Sequence, residues 1–182
     1  MPSPLGHATI GFTAHAFYCK NRSVISSWKV VALVIFLANL PDIDVLVGLI
    51  FYNNGGVFHR GPTHSLLFAL AMGLVAANLW RFWSAIPKVT FLWCFLLILS
   101  HVLADAIFTT QPVSLWWPLE VHPSGGYCGW SDLISSIFRG AFQDIAIVFG
   151  FGVFIIINRL FKYGLIRFSL RKPLEATVPK RK

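Results

Sequence analysis

Charge is what this sequence has least of. Only 12% of its 182 residues are Asp, Glu, Lys or Arg, about half the share of roughly 25% usual in a soluble domain. Acids are scarcest, seven in all against 15 Lys and Arg. So few charges cannot cover the surface of a soluble domain. With 56% hydrophobic residues and a mean hydropathy of +0.69, the chain reads as a membrane protein whose main partner is the lipid bilayer. Its three cysteines, Cys19, Cys94 and Cys128, have no paired spacing, which argues against a disulfide framework and a cysteine-based zinc site. The start, MPSPLGHATIG, lacks a basic stretch leading into an apolar one, so no cleaved signal peptide is expected. No internal repeat is visible.

What is present is a series of apolar segments. They run from about Pro4 to Tyr18, Trp28 to Leu40, Leu66 to Trp83, Val89 to Ile107, and Ser131 onward, fully apolar from Ile145 to Ile157. This predicts an all-α, multi-pass membrane bundle of about four to five helices, with residues 1–170 forming one domain. The basic tail, 171–182, is expected to be disordered and cytoplasmic. Pro41 interrupts the second segment, and Val30 to Leu40 alone is too short to cross a bilayer, which needs about 20 residues. The piece from Val45 to Tyr52 is therefore expected to be re-entrant or interfacial. Thr63 or a neighbour should cap the third helix, with Pro62 in its first turn. The Gly-, Pro- and Trp-rich stretch from Thr109 to Trp130 reads as a loop packed on the domain.

If the segments alternate in direction, the ionisable residues collect at one end. His7, Asp42 and Asp44, His59 and His64, and His101 and Asp105 all fall there. The other end holds Lys20, Arg22, Lys29, Arg81, Lys88 and everything basic from Arg159 on, 13 of the 15 basic residues. A basic excess can signal nucleic acid, but this one is better explained by the positive-inside rule. It argues against a nucleic-acid partner. It also predicts a cytoplasmic C-terminus and an extracytoplasmic site.

Each ionisable residue in an apolar helix costs about 2.5–3.5 kcal/mol at the membrane centre, and less near an interface. A shared divalent cation would compensate several at once. LSHVLADAIFT (Leu99 to Thr109) carries the sharpest pair: His101 and Asp105, four apart, lie on one helix face and can chelate one ion. The bland alternative is a buried His–Asp hydrogen bond that joins helices. Asp42 and Asp44 need a turn to face one site, and otherwise belong to a solvated one. In HRGPTHS (His59 to Ser65), His64 can reach inward while Arg60 and a helix N-terminus present positive charge to an anion; otherwise this is a polar loop. His7 follows a glycine at the ligand end and is favoured as a ligand, whereas His15, two turns deeper, is expected to pack or hydrogen-bond. Glu120, His122, Asp132 and Asp144 have no motif support. Trp116 and Trp117 suit an interfacial aromatic belt or a pocket wall.

The ordered set of an early GH, LPDID, HRGPTHSLL, LSHVLAD and LWWP, from Gly6 to Pro118, resembles the YdjM-like family of inner-membrane proteins described as metal-dependent hydrolases. That family is distantly similar to zinc-dependent phospholipase C and single-strand-specific nucleases, all-helical enzymes that hydrolyse phosphodiesters. The resemblance implies His7, Asp42 or Asp44, His64, His101 and Asp105 as ligands. The later H-x-x-x-E of those enzymes has no counterpart after Asp105, so one or two ions are expected rather than three.

The leading expectation is a hydrolase holding divalent metal, with zinc favoured by the histidines and manganese or iron left open by the carboxylates. Catalytic roles fall to Asp44, which would bridge ions or accept a proton, and to His59 and Arg60, which would bind the scissile phosphate. The substrate would be a phosphoester, lipid-linked in view of the bilayer. Two rivals use the same cluster: a transporter relaying ions or protons, and a non-catalytic protein whose metal ties helices together.

Overall fold

The computed structural model describes residues 2–19, 27–109, 111–122 and 129–169. The tail 171–182, Lys20, Arg22 and Cys128 lie outside the described residues. Among the described residues the chain is all-helical: α1 (Pro4–Tyr18), α2 (Trp28–Asn39), α3 (Ile43–Tyr52), α4 (Leu66–Asn78), α5 (Phe91–Phe108) and α6 (Trp130–Ser169), with no strand.

Short hydroxyl side chains start four of these helices by accepting an otherwise unpaired backbone N–H. Ser3 Oγ accepts from Leu5 N at 3.1 Å and Ser27 Oγ from Val30 N at 3.3 Å; Ser65 Oγ accepts from Phe68 N at 3.1 Å and Thr90 Oγ1 from Trp93 N at 3.3 Å. The cap of α4 is thus Ser65 and not Thr63. Pro62 opens a separate 3₁₀ turn, Pro62–His64, which leaves the Thr63 hydroxyl available for a different partner.

The helices alternate in direction, as contacts at their two ends establish. Tyr18 Oη lies 2.7 Å from Thr90 Oγ1, pairing the end of α1 with the start of α5. At the opposite end His64, before α4, meets His101 near the end of α5. α6 runs alongside α1 in the same sense: Asp144 accepts from Ser3 N at 2.8 Å, and Phe154 packs on Phe17 with ring centroids 5.5 Å apart. Val34, Leu37, Ala69, Trp93, Leu97 and Ile98 fill the interior between α2, α4 and α5. Small residues bring the backbones close, as expected where lipid supplies no hydrophobic drive. A Cβ on Gly73 would sit 3.1 Å from the Phe95 backbone.

Three stretches are long and apolar enough to cross a membrane: Trp28–Tyr52, Phe91–Phe108 and Trp130–Asn158. Leu66–Arg81 is apolar but shorter. The first span revises the expectation of a broken segment. Pro41 does end α2, but only a 3₁₀ turn, Leu40–Asp42, separates it from α3, so the two helices join without a loop into 25 residues. Their apolar surplus faces outward, with Phe36, Ile50 and Phe51 exposed.

Candidate metal centre

Six ionisable side chains from five parts of the chain converge where α1 begins and α5 ends. His7, His59, His64, His101 and Asp105 are buried, and Asp42 is only 16% exposed. Each is delivered by a local device. α1 presents His7 one turn from its capped start. The 3₁₀ turn turns Asp42 inward, and the Pro62–His64 turn does the same for His64. One helical turn of α5 aligns His101 and Asp105.

Hydrogen bonds to their far sides fix how the imidazoles present themselves. His101 Nδ1 lies 2.7 Å from the Ala38 carbonyl, which can only accept, so the proton resides there and Nε2 carries a lone pair. His64 Nδ1 lies 3.3 Å from Asp44 Oδ2, which likewise leaves its Nε2 as the free base. The two Nε2 atoms then face each other at 3.3 Å, a repulsive arrangement unless a proton or cation lies between them. Asp42 Oδ1 completes a triangle, 3.5 Å from His64 Nε2 and 3.4 Å from His101 Nε2.

These edges match a metal site. Tetrahedral ligands at zinc–nitrogen distances of about 2.0–2.1 Å lie about 3.3–3.4 Å apart. Asp105 extends the cluster in both directions, with Oδ1 3.4 Å from His7 Nε2 and Oδ2 3.5 Å from His64 Nε2. Two groups with metal-ligand proximity result, Asp42–His59–His64–Asp105 and His7–His101–Asp105, sharing that aspartate. Both Asp105 oxygens, both His7 ring nitrogens and Asp42 Oδ1 are buried without a hydrogen-bond partner. Leaving such atoms unsatisfied is costly, and a divalent cation fits this donor set. Burial alone would lower the pKa of His64; hydrogen bonding to Asp105, Asp42 and Asp44 outweighs it and raises the ring well above the usual imidazole value.

Asp44 stands behind the histidines. Its Oδ1 lies 3.2 Å from His59 Nδ1, and its Oδ2 accepts from Thr63 Oγ1 and faces His64 Nδ1. Arg60 is buried in a left-handed conformation, φ +63°, rare for a residue with a Cβ. Its Nε lies 3.7 Å from Asp105 Oδ2. A cavity of about 1000 Å³ reaches this end of the cluster, where Asp42 and Arg60 form part of its wall.

The sequence profile of the YdjM inner membrane protein family matches residues 1–166. The chain belongs to this family. It is also similar to the inner membrane protein YbcI of Escherichia coli (strain K12), with 41% identity over 88 residues, which is 46% of this chain and 50% of that protein. The chain thus spans about half the length of this curated relative. No solved structure matches. Among the described residues of this YdjM-family chain, His15, Glu120, His122, Asp132 and Asp144 lie outside both groups. His15 accepts from Trp93 Nε1 at 2.9 Å. Asp132 pairs with Arg139 at the surface, and His122 Nε2 lies 3.8 Å from Glu120. Asp144, buried in α6, holds the start of α1 instead of a metal-ligating partner. Nothing in the sequence near Asp144 announces that bond to a residue 141 positions away.

Proposed function

We propose that this YdjM-family protein is a membrane-embedded, metal-dependent hydrolase of phosphoesters. The observation that carries the reading is the meeting of two features: a cluster of unsatisfied histidine and aspartate atoms, and a cavity that opens onto it at Asp42 and Arg60. A metal that only tied helices together would be closed off, whereas a catalytic one keeps a position accessible.

His7, His59, His64, His101, Asp42 and Asp105 would hold one or two ions, with Asp105 shared. Nitrogen-rich ligation favours zinc and leaves manganese and iron as alternatives. When bound, such an ion supplies Lewis-acid activation of water near neutral pH. The other work falls to the chain itself. Asp44 is the positioning residue, holding His59 and His64 by their Nδ1 atoms. His59, expected from sequence to bind phosphate, is assigned to the ligand set because it belongs to the Asp42 group. Arg60 binds a phosphate oxygen and stabilises the charge that develops on it. Asp42 is the member of the ligand set that also lines the cavity.

Orientation follows from charge. Lys29, Arg81 and Lys88 lie at the end remote from the cluster, and α6 carries the chain towards that end. By the positive-inside rule this charge distribution supports a centre on the extracytoplasmic side. Changing His101 and Asp105 together to Ala is the direct test. Elemental analysis of the purified variant should find no bound metal, and hydrolysis across a panel of phosphodiesters and phospholipids should vanish. Full metal content in that variant refutes the assignment.

A further inference from the structure

The cavity beside the centre has a chemistry of its own. At about 1000 Å³ it is at the upper end of the range of about 300–1,000 Å³ common for small-molecule sites. Ile35 and Phe36 of α2, Ile43 and Leu46 of α3, and Leu133 and Ile137 of α6 make its walls. These residues belong to two of the three candidate spans, so the cavity lies between membrane-crossing helices. Most of its surface is apolar, and Ser3, Gln111, Ser136 and Gln143 add uncharged polar groups. Asp42 and Arg60 stand at the metal cluster, and Asn39, also on the wall, has a buried Oδ1 without a hydrogen-bond partner. Arg139, 70% exposed and 3.3 Å from Asp132, adds a second cation at the wall.

A water-soluble phosphoester would leave the long apolar walls empty. A hydrocarbon alone would fill the walls and make no use of the positive charge that Arg60, beside Asp105, and Arg139 bring to the cavity. An amphiphile with an anionic head matches both. We propose that the cavity seats a hydrocarbon chain of a phospholipid, entering from the bilayer between α2–α3 and α6, with its phosphate at Arg60. Asn39 Oδ1 then accepts from a hydroxyl or ammonium of the head group. This rests on the phosphoester reading above and names its substrate class.

Binding tests it without turnover. Metal-free protein is held in a steroid-based detergent, which offers no alkyl chain. Affinity is measured for monoacylglycerol phosphates of graded acyl length, with glycerol phosphate and inorganic phosphate as chainless probes. Affinity should rise with chain length up to a limit and then level. Ile137→Trp narrows the cavity on an exposed helix face, and should weaken the longest chain about tenfold while leaving glycerol phosphate unchanged. Phe36→Ala widens it and should move the limit to longer chains. Opposite shifts from the two variants cannot come from misfolding. Equal affinity for chained and chainless probes, or shifts of both variants in one direction, overturns the proposal. Metal content is measured on the same preparations after zinc loading. Chain-dependent binding by a protein that takes up no metal would sink the hydrolase reading alone; metal uptake without chain dependence would sink the lipid proposal alone.

Discussion

Asp44→Asn isolates the role of a carboxylate that touches two histidines. The change is nearly isosteric, so it opens no void. In the native protein His59 Nδ1 lies 3.2 Å from Oδ1 and His64 Nδ1 lies 3.3 Å from Oδ2, and Thr63 donates to Oδ2 as well. An asparagine keeps one acceptor and turns an NH₂ donor towards the other ring or the Thr63 hydroxyl. At least one imidazole then loses the partner that fixes its tautomer and orientation. Loss of such partners typically lowers metal affinity by about 10- to 100-fold, which is about 1.4–2.7 kcal/mol. Chelator competition with a zinc indicator measures the affinity, and elemental analysis measures the stoichiometry at saturation. Affinity should fall within that range while stoichiometry stays at the wild-type value. Loss of a whole ion per chain would make Asp44 a ligand, and unchanged affinity would remove it from the site. Either outcome refutes its positioning role.

Two further outcomes follow from the packing and the charge distribution. A Cβ at Gly6 would lie 2.6 Å from Asp144 Oδ1 and 2.9 Å from Pro2 Cβ, so Gly6→Ala should displace the start of α1 and cost about 1–3 kcal/mol. Thermal unfolding in detergent should register the loss, and metal binding should weaken because His7 is the next residue. A cysteine placed at Leu119, 89% exposed in the loop whose Ser114 N–H bonds the Arg60 carbonyl, should react with an impermeant thiol reagent in intact cells once Cys19, Cys94 and Cys128 are replaced. Protection of that cysteine would put the centre on the cytoplasmic side.

The parts of the site legible in the sequence were those set by local geometry. Four-residue spacing on a helix puts His101 and Asp105 on one face whatever else the fold does. The alternation of apolar segments brings the ends of α1, α2, α4 and α5 together without knowledge of any contact. The choice between Asp42 and Asp44 was not legible, because it depends on a 3₁₀ turn that makes the two carboxylates diverge. The sequence put His59 at this end of the bundle as a phosphate binder, and its contact with Asp44 was hidden for a related reason. Its place beside Asp44 depends on how the chain from Asn53 to Phe58 folds back over α3, where a Cβ on Gly48 would strike the Asn54 carbonyl at 2.5 Å. The continuity of α2 and α3 was hidden by Pro41. A proline lacks a donor, yet it is tolerated in the first turn of a new helix, so it changes the pitch here without admitting a loop.

The contact between His101 Nδ1 and the Ala38 carbonyl has a genetic consequence. The acceptor is a peptide group near the end of α2, where helix carbonyls are free to take outside partners. No side chain at position 38 takes part, and the methyl there is wholly buried among its neighbours. Scanning substitutions would therefore score Ala38 as ordinary filler, blind to its hold on the proton of a histidine. Insertion or deletion of one residue in α2 would be another matter, swinging that carbonyl by about 100° around the helix axis. Families of such chains should accordingly accept many sequences in α2 while keeping its length to the residue.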